Sequence, residues 1–281
     1  ASWSAGSALG RCSGARAPLR RVLRAKKVPT LEPYAFEAEL DDHCETPSIA
    51  YRHVAPLLRT IAQRLHPDDH VKAAAAKLRI YDPYYCLGGV KKKLGRLGFD
   101  RVYNENEDFF SVAEGLRQLE EDFDVIVTNP PFSSEDHLTS LLQFSARSLK
   151  PFMTIMPAHC LLSDHYSEAL AMMSEALGHL PFYISPRKKY SFKTPAPLPP
   201  PPKENRPRAR TRSRVSDTLW CVHGGAGLPL HERLLEVARK HVALDGCTIV
   251  ADIKDVPRAV IPKKLTVEMR RNAGLLGYPV T

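Results

Sequence analysis

The stretch Phe123-Asp124-Val125-Ile126-Val127-Thr128-Asn129-Pro130-Pro131-Phe132 decides how this chain is read. Its first six residues are rich in β-branched side chains and form the clearest strand signal in the sequence. The two prolines behind it fix φ and make the following loop rigid.

Working outward, strands alternate with helices. Upstream, apolar residues at helical spacing (Ile49, Val54, Leu57, Leu58, Ile61, Leu65) predict a helix capped by Thr46, with Pro47 in its first turn. Leu78–Tyr81 and Arg101–Tyr103 read as short strands around a Gly88–Leu97 helix that stops at Gly98. Downstream, helices over Glu135–Leu149 and Asp164–Leu177 alternate with strands over Phe152–Met156, Leu180–Ser185 and Thr218–Val222. A helix near His231–His241, a strand near Thr248–Ala251 and a short helix near Leu265–Asn272 follow. This alternation predicts an α/β fold, a Rossmann-like doubly wound sheet with helices on both faces. Such sheets hold ligands at the carboxyl ends of their strands. The chemistry is therefore expected just after Tyr81, Tyr103, Thr128 and Met156.

Composition narrows the classes. The chain has 281 residues, 43% of them apolar, enough for a core, and no apolar run of about 18 residues that would cross a membrane. The formal charge of +9 is unevenly spread. Residues 1–31 hold seven basic residues and no acid, and residues 187–214 hold ten with one acid, Glu204. The rest of the chain is net negative, so the picture is an acidic body with two basic arms. The six cysteines form no CxxC pair, which offers neither a metal knuckle nor a disulfide scaffold and fits a reducing compartment. No metal motif is present.

The segment Asn129-Pro130-Pro131-Phe132, directly after its strand, resembles the Asn-Pro-Pro-Phe/Tyr motif of S-adenosylmethionine-dependent amino methyltransferases, which include N6-adenine and glutamine methyltransferases. The chemistry explains the residue types. An exocyclic amine or an amide nitrogen is a poor nucleophile because its lone pair is delocalised. Two acceptors on its N–H groups favour the pyramidal, nucleophilic form. The resemblance gives these roles to the Asn129 side-chain oxygen and the Pro130 carbonyl, rigidified by Pro131, and gives Phe132 the stacking of a planar group.

Two upstream pieces occur in the order that this family shows. Asp82-Pro83-Tyr84-Tyr85-Cys86-Leu87-Gly88-Gly89 resembles its cofactor loop, with Cys86 standing where the first loop glycine is usual and Gly88 matching the second. Thr46-Pro47 resembles the Thr-Pro that lines the methionine site. The resemblance implies S-adenosylmethionine as cofactor, with Tyr84 against its site, Glu105 on the ribose and Asp108-Phe109 flanking the adenine. Only 47 residues separate Asp82 from Asn129, where the family usually places two strands; either one strand–helix unit is missing or two roles share one loop.

The expected organisation is a basic tail over 1–31, a class I methyltransferase domain over 32–223 shortened in the middle, and a C-terminal α/β extension over 224–281. A Pro/Arg-rich insert occupies 187–214, where Arg187, Lys188, Arg206, Arg208, Arg210, Arg212 and Arg214 are expected to contact phosphates. RNA or a ribonucleoprotein is the expected partner, with protein partners at 187–214 and 224–281 also open. The tail has transit-peptide composition, pointing to a mitochondrion or other organelle, with the cytoplasm as the alternative. The expected function is N-methylation, most readily of adenine N6 in RNA or DNA. A catalytically inactive subunit of an organellar ribosome or other large assembly, and a protein glutamine methyltransferase, are the alternatives.

Overall fold

The computed structural model describes residues 44–132, 135–193, 213–257 and 267–275. Among them, seven strands form one mixed sheet flanked by helices, compatible with a Rossmann-like arrangement. The strands are β1 (Arg79–Tyr81), β2 (Arg101–Tyr103), β3 (Val125–Thr128), β4 (Phe152–Pro157), β5 (Phe182–Pro186), β8 (Thr218–His223) and β9 (Cys247–Val250), in spatial order β2-β1-β3-β4-β8-β5-β9. The first four pair in parallel, whereas β8 is antiparallel to both β4 and β5, and β9 is antiparallel to β5. Because β8 reverses the direction on each side of itself, β5 runs parallel to β4. Its carboxyl end lies on the same sheet edge as those of β1, β3 and β4.

Every residue of β3, β4, β5 and β8 is buried, as expected for strands covered on both faces. Alternating side chains divide between two cores. Ile80, Val125, Val127, Met153, Ile155 and Trp220 face α1 (Ser48–Leu65), α2 (Val71–Lys77), α3 (Gly89–Gly95) and α7 (Leu228–Val237). Tyr81, Ile126, Phe152, Leu219 and Cys221 face α4 (Phe109–Ala113), α5 (Glu135–Ser148) and α6 (Asp164–Leu177).

Several expectations are corrected or sharpened. Thr46 does not cap α1: Pro47 is the N-cap residue without a side-chain bond, and Thr46 instead bonds the buried Tyr51 hydroxyl. One strand only, β2, with the five-residue α4 behind it, lies between β1 and β3. In the C-terminal α/β segment after Gly224, β9 pairs with β5 at the edge of the main sheet and α7 packs on the same core as α1. The start of the 187–214 segment is also part of the body. β6 (Tyr190–Lys193) pairs with β7 (Ser213–Ser216), and Tyr190 and Phe192 are buried, with the Tyr190 hydroxyl 2.6 Å from His53 Nδ1. The basic tail, with its Arg and Lys residues, and Arg206, Arg208, Arg210 and Arg212 lie outside the described residues.

The turn from β8 to α7 depends on glycine. Gly225 has φ +75°, and a Cβ there would meet Leu149 O, Lys150 C and Pro151 N at 2.7 Å, all backbone atoms. Gly225→Ala is expected to destabilise the fold by at least about 2 kcal/mol, from left-handed strain plus backbone overlap. Urea unfolding measures this, and an unchanged midpoint would mean that the turn relaxes freely.

Candidate functional site

Three strand ends converge on one cleft. Cys44, Glu45, Thr46, Tyr51, Asp82, Tyr84, Cys86, Gly88, Gly89, Asn104 and Asn129 line about 290 Å³ of empty space beside the carboxyl ends of β1, β2 and β3. A neighbouring hollow of about 190 Å³ shares Asp82 and is lined by Pro83, Tyr103, Glu105, Glu107 and Phe109.

Asp82, buried behind β1, joins the two spaces. Its Oδ1 accepts from Thr128 Oγ1 at 2.6 Å and from the Tyr84 amide at 3.3 Å. Burial nevertheless dominates and pushes its carboxyl up to about 7, with nearby Glu45 adding to the rise. Behind it the chain turns through Gly88, whose φ of 66° suits glycine. Above Gly89 lies the Glu45 carboxylate, where any Cβ would collide with it. Glu45 is ion-paired with Lys93 of α3. The Glu45 backbone is held in turn by a β-bridge to Lys193, through Glu45 N to Lys193 O at 2.8 Å. Cys86, on the same wall, has its thiol pushed well up by burial and so stays neutral.

Among the described residues, two side-chain oxygens in this cleft are buried with no hydrogen-bond partner, Asn129 Oδ1 and Asn104 Oδ1. Asn129 Nδ2 donates to the Cys44 carbonyl at 3.4 Å, which fixes the amide and leaves Oδ1 as the bare acceptor. Asn104 Nδ2 donates to the carbonyls of Asp82 (2.9 Å) and Tyr84 (3.3 Å), with the same consequence. Leaving a buried acceptor unmade costs about 1–3 kcal/mol, so both oxygens are positions where a donor would be favourable.

The remaining residues singled out in the sequence divide by position. Pro130 is buried, Pro131 half-buried, and Phe132 is 36% exposed. Phe132 borders a second hollow of about 440 Å³ with Leu138, Thr139, His159, Cys160, Ser163, His165 and Tyr166. Pro47 sits at the start of α1, next to the cleft-lining Thr46. Glu105 reaches the smaller hollow but is exposed and ion-paired with Lys91. Asp108 is engaged as the N-cap of α4, accepting from the amides of Phe110 (3.1 Å) and Ser111 (3.2 Å) and from Ser111 Oγ (2.6 Å). Phe109 is buried, 5.0 Å from the Tyr84 ring and 5.5 Å from Phe144. Arg187 and Lys188 are exposed immediately after β5, on the sheet edge that carries Asn129. Arg214 lies in β7.

Sequence reasoning missed Asn104 and Glu45 as cleft residues and Lys93 as the ion-pair partner of Glu45. Asn104 was signalled by its place directly after a strand; the other two were not. It also missed a cluster away from the cleft. His179, His223 and His231 bring imidazole nitrogens within 4.8 Å of one another. Nδ1 of His223 accepts from the Gly225 amide at 3.0 Å, and Nδ1 of His231 accepts from the Gly224 amide at 3.2 Å. Both rings therefore carry their proton on Nε2. That is opposite to a metal-bound imidazole, which donates through its second nitrogen. Burial accordingly lowers all three, His223 to about 4 and His231 to about 3.

No family model matches the chain, and no curated protein matches it as a relative.

Proposed function

We propose that this protein is a class I S-adenosylmethionine-dependent N-methyltransferase of the Asn-Pro-Pro-Phe type. The observation that carries the reading is the buried, partnerless Asn129 Oδ1 at the end of β3, beside the cleft behind Asp82. An N–H donor of a target nitrogen is the group that satisfies it. Pro130 supplies a backbone carbonyl beside it, and the exposed ring of Phe132 offers a face for a planar group.

The cleft suits the cofactor in charge. Its lining carries Asp82, Glu45 and two bare amide oxygens, with Lys93 paired to Glu45. When bound, S-adenosylmethionine supplies a methyl group on a sulfonium, and positioning then provides most of the rate. Asn129 orients the nucleophile and makes its lone pair available, while Asp82 and the Gly88-Gly89 turn wall the cofactor side. The antiparallel β8 between β4 and β5, and the basic insert leaving β5, also fit the reading. Exposed Arg187 and Lys188 on the active edge favour a nucleic-acid target, and hence adenine N6, over a protein glutamine.

One observation favours the second reading, a methyltransferase-like structural subunit of an organellar ribosome or similar assembly that has lost turnover. The Glu45 carboxylate lies across Gly89, in the space where the cofactor would enter. Isothermal titration of the full chain with S-adenosylmethionine separates the two. Saturable binding is the expected result, and absence of binding with and without RNA rejects the enzyme reading.

A further inference from the structure

We infer that α8 (Val267–Leu275) is a clasp on the target side of the site, and that Asn272 is the positioning residue that sets the wall of the hollow bordered by Phe132. The inference rests on the proposed function for what meets that wall, a planar group stacked on the Phe132 ring.

Little apolar surface holds α8 in place. Of its nine residues only Asn272 and Ala273 are buried, and Val267 and Leu275 stand 84% and 80% exposed. A helix this short is marginal by itself in water. Polar bonds supply the grip, and they converge on residues 162–164. Asn272 Nδ2 donates to the Leu162 carbonyl at 2.8 Å and to Asp164 Oδ1 at 3.0 Å. Arg271 pairs with the same Asp164 carboxylate at 2.5 Å. Glu268 Oε1 accepts from the Asp164 amide at 3.2 Å, one of the N–H groups that the start of α6 leaves without an intrahelical partner. The Arg271 pair is exposed on both sides and adds little. The Asn272 bond to Leu162 is buried, so its loss leaves a buried carbonyl without that donor.

The gripped residues run through the wall of the second hollow. His159, Cys160, Ser163, His165 and Tyr166 line that hollow together with Phe132. Leu162 and Asp164 are interleaved with them in sequence, at the joint where the 3₁₀ turn Ala158–Leu162 passes into α6. Ser163 at this joint caps α6 and accepts from the Tyr166 amide at 3.2 Å. The near end of the turn, just past β4, is tied down by Ala158 N donating to the Asp217 carbonyl at 2.8 Å. The far end is tied down by α8. Asn272 is not itself in the lining; it acts through Leu162 and Asp164 on the side chains around them. A wall that touches the target away from its reacting nitrogen contributes equally to the ground and transition states. Its displacement therefore raises KM and spares kcat.

The test is transfer of a labelled methyl group from S-adenosylmethionine to an unpaired oligoadenylate RNA by the full chain, with the RNA concentration varied at saturating cofactor. Asn272→Leu keeps the bulk of the side chain and removes its donors. It is expected to raise KM for the RNA about 10-fold, with kcat and S-adenosylmethionine affinity within about 3-fold of wild type. Asn272→Gln, which retains the donors, is expected to bring KM back to within about 3-fold. Hydrogen exchange checks the fold: amides of residues 158–166 should exchange about 10-fold faster in Asn272→Leu, and those of β3 and β4 should not change. An unchanged KM in Asn272→Leu overturns the clasp while the methyltransferase reading stands. A fall in kcat or in cofactor affinity at constant KM also overturns it, as does lost protection that spreads into β4, since α8 would then serve the fold as a whole. Absence of transfer by wild type rejects the adenine reading and the role of Asn272 with it.

Discussion

Asn129→Ala is expected to lower the methyl-transfer rate at saturating cofactor by about 10²–10³-fold, the scale of losing one preorganised polar contact to a reacting group. S-adenosylmethionine affinity should stay within about 3-fold, because in the proposed function the contact is made to the target nitrogen and not to the cofactor. The reasoning starts from the amide's fixed orientation. Asn129 Nδ2 is committed to the Cys44 carbonyl, so Oδ1 stays buried and bare until a donor arrives. Removing it deletes an acceptor that strengthens as the nitrogen becomes pyramidal, so kcat falls more than binding does. Asn129→Asp keeps an oxygen near this position but loses the donor to Cys44; partial activity, intermediate between wild type and alanine, is expected. Single-turnover transfer of a labelled methyl group to RNA or DNA, alongside cofactor titration, measures both quantities. Full turnover in the alanine variant removes Asn129 from the chemistry.

What the sequence made legible follows from locality. The strand over Val125–Thr128 and the helix over Asp164–Leu177 are specified by their own residues, the latter closed by Gly178 at φ 79°. The Ala-rich α2, Val71–Lys77, has no apolar stripe to announce it and was passed over. The ribbon of β6 and β7 hides because each strand has four residues, and the intervening prolines and arginines read as an insert. Only burial of Tyr190 beside His53 reveals that its foot belongs to the core. At the cleft, Asp82, Cys86, Gly88 and Asn129 are adjacent to strand ends and were legible for that reason. Glu45 and Lys93 meet across 48 positions, and whether a lysine in a Lys-Lys-Lys run faces solvent or Glu45 depends on the turn of α3. The three histidines come from the α6–β5 loop, the end of β8 and α7, so nothing short of the folded sheet brings them together.

That histidine cluster makes stability fall in mild acid. His223 and His231 accept backbone N–H groups at Nδ1, which a protonated ring cannot do. His223 also stacks 4.2 Å from His179 and 5.3 Å from Phe152, so a charge there would be both desolvated and beside other rings. Their folded values, about 4 and about 3, lie below the ordinary 6.5. The unfolded chain therefore binds two more protons on these residues once pH drops below about 6.5, and stability present above that pH is lost on the way down to about 4. His179 and His53, also lowered by burial, act in the same direction. Asp82 opposes them. With its carboxyl raised to about 7, the folded state holds one extra proton over this window, which favours folding as pH falls. From His223, His231 and Asp82 the net is a little under one proton near pH 5, a slope of about 1 kcal/mol per pH unit that is shallower towards pH 6. Urea midpoints across that range measure it. His223→Asn, whose Oδ1 can replace Nδ1 as acceptor for the Gly225 amide, should flatten the slope by about one proton. Asp82→Asn should steepen it by a similar amount. A flat profile in wild type, or the same slope in His223→Asn, would show that these imidazoles are charged or solvated in the folded protein.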